Sequence, residues 1–308
     1  MFANAIEKVG EFTRPIKFIT RNYKETYIIP GAATLFFVND EGCAITCKHV
    51  ALELIDSEAI NQKFQSFKAE CAKVTQDSKR KAEIKKIEIK YGYNGYKGHG
   101  AAQVLSQFVD CTDSAIFECF LHPDQDIAVL RFKDFSQTYY SGHAVFAKNG
   151  SSIRPGDMLC RLGYPFLEFS NYQYNAETDE IEWNETGRQD TPRFPIEGMF
   201  TRQVVNEKGE TCEIELSTPG LRGQSGGPLF DANGIIYGMQ SNTMHFHLGF
   251  DMKNEKQIID GKDTMINNQP FLHVGRCVNV NIIKAFLDEH NIKYYVGDAR
   301  GIVEEING

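Results

Sequence analysis

The run Gly223-Gln224-Ser225-Gly226-Gly227-Pro228-Leu229 leaves this chain the fewest conformational options. A serine between glycines, followed by a second glycine and a proline, suits a tight, exposed turn, because glycine adopts backbone angles that a side chain forbids. Small neighbours also let a substrate carbonyl approach the backbone. The N–H groups of Gly223 and Ser225 can then converge on a developing oxyanion, usually the largest electrostatic contribution to acyl transfer. Glycine-rich turns that carry a serine are common, so the run gains chemical meaning only with partners.

Two segments supply them. Ala44 to Val50 is an apolar strand running into His49, and His122-Pro123-Asp124-Gln125-Asp126 leads into the apolar strand Ile127 to Leu130. A seryl oxygen is a poor nucleophile until a base takes its proton, and the imidazole needs an acid to fix its tautomer. In chain order the three candidates are His49, Asp126 and Ser225. That order, with these flanks over roughly residues 30 to 285, resembles the trypsin/chymotrypsin-like serine peptidases, above all their bacterial HtrA-like branch.

The resemblance implies an all-β fold of two packed six-stranded antiparallel barrels, with an inserted helix and a C-terminal helix. It also implies roles. Ser225 attacks a peptide bond, His49 shuttles the proton, Asp126 orients His49, and the amides of Gly223 and Ser225 form the oxyanion hole. Asp126, directly before Ile-Ala-Val-Leu, occupies the family's acid position, which leaves Asp124 as a solvated turn acid. Ser241 matches the serine that helps hold that acid. Pro219, Arg222, Ser241, Asn242 and Thr243 are the candidate substrate-binding residues. Pro219 falls where trypsins carry a carboxylate, and no acid lies between Leu216 and Ser225, so a neutral, apolar residue is expected before the cleaved bond. Gln224 replaces the aspartate that pairs with a newly cut N-terminus in animal trypsins. Activation by cleavage is therefore not expected, and control falls to loop ordering or a regulatory protein partner.

Composition narrows the class further. The chain has 308 residues, 42% hydrophobic and 24% charged, ordinary values for a soluble globular protein with a substantial core. A net charge of −8 argues against nucleic-acid and membrane partners, which need a basic footprint, and leaves a protein or peptide as substrate. No apolar run approaches the ~20 residues that span a bilayer, and the first residues lack the apolar core of a signal peptide. The eight cysteines include no CxxC pair and no metal-ligand spacing. Val50 stands where secreted animal trypsins carry a cysteine. Free thiols in a cytoplasmic protein are the expectation, and the chemistry asks for no metal or organic cofactor.

One peptidase unit over 1–308 is expected, with a first barrel over about 15–140, a second over about 141–285, and a helix and tail over 280–308 too short for a PDZ domain. Thr34–Val38 and Cys43–Cys47 read as a hairpin around Asn39–Gly42. The segment 51–91 departs from the family. Ile60, Phe64, Phe67, Cys71 and Val74 share one helical face there, followed by Lys79-Arg80-Lys81 and Lys85-Lys86 as solvated surface. Residues 170–194 read as a polar surface loop. Ile282, Ile283, Phe286 and Leu287 mark the closing helix. His245 and His247 read as strand surface rather than a metal pair, and His273 as core or pocket wall. Two rivals remain: an α/β-hydrolase-type esterase using Ser225 with His273 and Asp251 or Asp260, which needs a parallel sheet, and a catalytically silent binding module.

Overall fold

The computed structural model describes residues 2–74, 80–93, 100–259, 262–298 and 300–308. Lys79 and Asp260 lie outside the described residues. The first half comprises α1 (Ala3–Gly10), β1 (Thr13–Asn22), β2 (Ile28–Phe37), β3 (Cys43–Thr46), α2 (Lys48–Ala72), α3 (Arg80–Tyr91), β4 (Ala101–Phe108), β5 (Phe117–Leu121) and β6 (Ala128–Phe132). Its strands form one antiparallel sheet in the order β4-β1-β2-β3-β6-β5. The expected hairpin is β2/β3, with Phe36 opposite Ile45 and Phe37 opposite Ala44. Asn39 Oδ1 shapes its turn by accepting from the N–H groups of Glu41 and Cys43.

This first sheet is a half-barrel rather than the closed barrel expected. Among the described residues its edge strands β4 and β5 share no ladder. They meet through side chains instead, Phe108 lying edge-on to Phe117 at 5.6 Å and to Phe132 at 5.0 Å. The edge is covered by the inserted segment, as exposed strand edges require. Phe64 and Phe67 of α2 bury with Ile87 of α3, Tyr93 and Ala102. Asn61 then mimics a strand neighbour, donating to the Val104 carbonyl at 2.7 Å and accepting from its N–H at 3.0 Å. The insertion is thus two helices, where the apolar spacing pointed to one.

The second half comprises β7 (Val145–Ala147), β8 (Met158–Gly163), β9 (Tyr172–Asn175), β10 (Glu180–Trp183), β11 (Phe194–Val205), β12 (Thr211–Leu216), β13 (Pro228–Phe230), β14 (Ile235–His247), β15 (Met252–Ile259), β16 (Lys262–Asn268), β17 (Phe271–Asn279), α4 (Val280–Glu289), β18 (Tyr294–Gly297) and β19 (Val303–Ile306). Strands β13-β8-β11-β12-β17-β14 follow one another, and a further β13–β14 pairing closes them into a six-stranded barrel. Two expectations are corrected here. The segment read as a surface loop contains the β9/β10 hairpin, whose Ile181 packs with Phe169 on Ile19 and Ile28 of the first sheet. The tail after α4 forms β18 and β19, with β18 joined parallel to β7.

One apolar core runs through both sheets, from Phe36 and Ile45 to Phe146, Leu162, Phe230 and Met239. The ladders of both sheets are antiparallel apart from the β7 pairings. Such sheets offer no strand-to-helix elbow of a parallel α/β fold, which removes the α/β-hydrolase reading. Among the described residues, no helix is long and apolar enough to cross a membrane.

Candidate active site

His49 sits in the first turn of α2, directly after β3, and Asp126 lies just ahead of β6, the strand paired with β3. That pairing brings the two together. Cys47, at the helix N-cap, makes no side-chain capping bond. The Asp126 carboxylate takes over, accepting the His49 backbone N–H at 3.0 Å. A carboxylate at a helix start also complements the helix dipole. The same group binds the ring: His49 Nδ1 lies 2.9 Å from Oδ2 and 3.0 Å from Oδ1. An ionised carboxylate only accepts, so Nδ1 carries the proton and Nε2 is left free to take one. Ser241 Oγ donates to Oδ2 at 2.5 Å.

These bonds set the charges. Burial raises the proton affinity of Asp126, but the bonds from His49, Ser241 and the His49 N–H outweigh it and bring its pKa down to about 2. The bond to Asp126 holds the His49 imidazole above its ordinary 6.5, against the opposing pull of partial burial. Asp124 is exposed and lies apart from this network.

Ser225 is placed by backbone. Leu221–Gln224 is a turn closed by the Gln224 N–H on the Leu221 carbonyl at 3.0 Å. Gly223 has φ +91° while Arg222 keeps a negative φ, the signature of a type II turn that demands glycine third. Thr34 Oγ1 fixes the Gly223 carbonyl at 2.7 Å, and the Thr34 N–H holds the Ser225 carbonyl at 2.9 Å. The first sheet therefore clamps a turn that belongs to the second. No side chain fits behind it: a Cβ on Gly226 would lie 2.0 Å from the Thr34 carbonyl oxygen, and one on Gly227 2.1 Å from that of Leu162. With the carbonyls anchored inward, the N–H groups of Gly223 and Ser225 have no partner among the described residues. Gln224 is fully buried; its Oε1 accepts from the Leu221 N–H at 3.0 Å and its Nε2 donates to the Phe194 carbonyl at 3.2 Å.

The serine hydroxyl itself is loosely held, donating to the Ser241 carbonyl at 3.5 Å, with no bond to His49 among the described residues. Ser225 and His49 share the lining of a cleft of about 310 Å³, together with Gly223, Arg222 and Glu53. On the opposite side Ser225 borders a second cleft of about 470 Å³, whose lining includes all five candidate substrate-binding residues, Pro219, Arg222, Ser241, Asn242 and Thr243. His245 and His273 line it as well. The first was read as plain strand surface. What places it here is cross-strand register, since β14 and β17 set His245 directly opposite His273. Residue spacing along the chain could not reveal that. Arg161 was also missed. It is fully buried behind Pro219 and Gln240, donating to Gln240 Oε1 at 2.7 Å and to the Thr218 and Pro219 carbonyls.

A glycine-locked serine turn is thus clamped between two antiparallel sheets, with an acid-bound imidazole across the cleft. Residues 33–239 match the trypsin-like peptidase domain family, and the chain belongs to it. Among solved structures, the HtrA-type protease AlgW with a tripeptide aligns at 16% identity and a TM-score of 0.46, covering 95% of this chain and 65% of that one. A serine-to-alanine variant of AlgW with a tripeptide aligns at 15% identity and 0.46, over 94% and 63%. AlgW with a decapeptide aligns at 13% and 0.46, over 96% and 70%. The chain thus spans just under two thirds of the length of the tripeptide-bound chains. No curated protein matches.

Proposed function

We propose that the protein is a serine endopeptidase that cleaves protein or peptide substrates through an acyl-enzyme. His49 Nε2 takes the Ser225 proton as Oγ attacks the scissile carbonyl carbon. The N–H groups of Gly223 and Ser225 receive the oxyanion. The imidazolium then protonates the leaving amine as the C–N bond breaks, leaving an ester on Ser225. Water, deprotonated by His49, attacks that ester, and the proton returns to Ser225 Oγ. The observation that carries this reading is the His49–Asp126–Ser241 network facing a serine whose flanking amides are unpaired.

Gln224 supports a chain that is competent without an activating cut, since its buried amide is satisfied with no ammonium partner. Control then rests with a regulatory partner or loop ordering. The eight unpaired cysteines support a reducing, cytoplasmic setting. The test is labelling of the uncut chain by a fluorophosphonate, with turnover of an unfolded protein in parallel. Wild type should label and cleave, and Ser225→Ala and His49→Ala should do neither. A wild type that does not label is a silent binding module and ends the proposal.

A further inference from the structure

The larger cleft beside Ser225 has an unusual lining for one that holds no carboxylate opposite it. Its far end is formed by His245 and His273, whose Nδ1 atoms lie 2.5 Å apart. Two ring nitrogens at that distance share one proton, so one ring donates and the other accepts. The accepting ring must then carry its own proton on Nε2, which makes that edge a fixed donor. That N–H edge is the complement of a carboxylate oxygen.

Two arginines add positive charge. Arg222 lines the cleft. Arg161 lies behind its wall, fully buried, with only neutral oxygens as partners and no ion pair among the described residues. A guanidinium stays charged when buried, so this charge projects into whatever the wall faces. No carboxylate lines the cleft among the described residues. Asp126, behind the lining Ser241, is committed to His49, and Asp251, just past β14, is bound to His247 at 2.8 Å.

The backbone offers a track toward this charge. β13 pairs with β14 only as far as Met239, while β17 pairs with the opposite edge through His247. The edge of β14 beyond Ser241 is therefore unpaired among the described residues, and it starts at the carbonyl that touches Ser225 Oγ. An extended peptide can add there as a strand. Four residues of strand separate Ser241 from His245, a distance of about 13 Å.

Resting on the serine-peptidase reading, we propose that this cleft and strand edge select peptides with an acidic side chain on the acyl side of the cut, within about five residues of it. The apolar preference drawn from the missing carboxylate is thereby revised: its absence rejects lysine and arginine, and the cations in its place attract glutamate and aspartate.

The test is digestion of a natural peptide library by the full chain, with cut sites read by mass spectrometry. Paired peptides carrying Glu, Gln or Lys at the enriched position follow. Acidic residues should be enriched at one acyl-side position, and Glu→Lys there should lower kcat/KM about 100-fold, mainly through KM. His245→Phe and His273→Phe should each shrink the Glu/Lys ratio about tenfold. A fluorophosphonate-reactive wild type with no charge preference, or one for lysine, overturns this inference alone. A wild type that does not label overturns the serine reading and this inference together.

Discussion

The two halves of the site are held in opposite ways. On the first sheet, the side chains are committed: Asp126 accepts from the His49 ring, the His49 N–H and Ser241 Oγ before anything binds. On the second barrel, the backbone is committed and the side chain is free: glycines lock the turn, yet Ser225 Oγ has only a 3.5 Å contact. On the mechanism proposed above, the contrast follows what each half would do. A general base has to keep one tautomer throughout the cycle, whereas a nucleophile must leave its resting position to attack. An oxyanion hole, built of amides, works only if those amides do not move.

Predictions can break that contrast, and the largest concerns the free side chain. Ser225→Ala should cost about 10⁵- to 10⁶-fold in kcat and leave the melting temperature within a few degrees of wild type. Unfolding of this variant would mean that the hydroxyl is structural. Next comes the committed acid. Asp126→Asn should lower kcat about 10⁴-fold, and it should also change the pH profile. The working base is the neutral ring, so the wild-type rate should rise with pH through a midpoint above 6.5, because Asp126 holds the imidazolium. Removing the carboxylate's charge removes that support, and the midpoint should fall. A midpoint that stays put would detach Asp126 from His49.

Gly223→Ala tests the locked backbone. Its Cβ would stand 2.4 Å from the Tyr164 carbonyl oxygen at φ +91°. The turn must shift, and losing one oxyanion donor costs about 10²- to 10³-fold in kcat. An active Gly223→Ala would show that the turn has slack. A smaller effect belongs to Asn61, remote from the chemistry. Asn61→Ala should destabilise by about 1–3 kcal/mol, because it strands the Val104 backbone groups at the covered edge. Denaturant titration reads it. The smallest effect of all is expected from chelators, which should leave turnover unchanged.

The committed half was largely legible in the sequence, because its signals are local. Asp126 could be told from Asp124 by the apolar strand that follows it, and the helical face of α2 by its four-three spacing. The parts that escaped depend on distant partners. Arg161 reads as a misplaced charge in the strand Met158–Gly163, since the oxygens that satisfy it come from Thr218, Pro219 and Gln240. The β9/β10 hairpin does alternate, Tyr172 and Tyr174 in one strand and Ile181 and Trp183 in the other, but over only four residues each, and its apolar side chains pack on Ile19 and Ile28, far away in the chain. The open edge of the first sheet was hidden because the insertion that covers it is foreign to the family pattern.

Helix α2 gives His49 an unusual mechanical footing. Its 25 residues make a rod of about 37 Å. The rod is pinned at its start by Asp126, at mid-length by Asn61 on β4, and further on by Lys68 against Glu180. Three anchors on a stiff beam fix both position and heading. The imidazole is therefore indexed to the frame of the first sheet and not to a loop, and a load applied to the β9/β10 hairpin is carried along the beam to the ring.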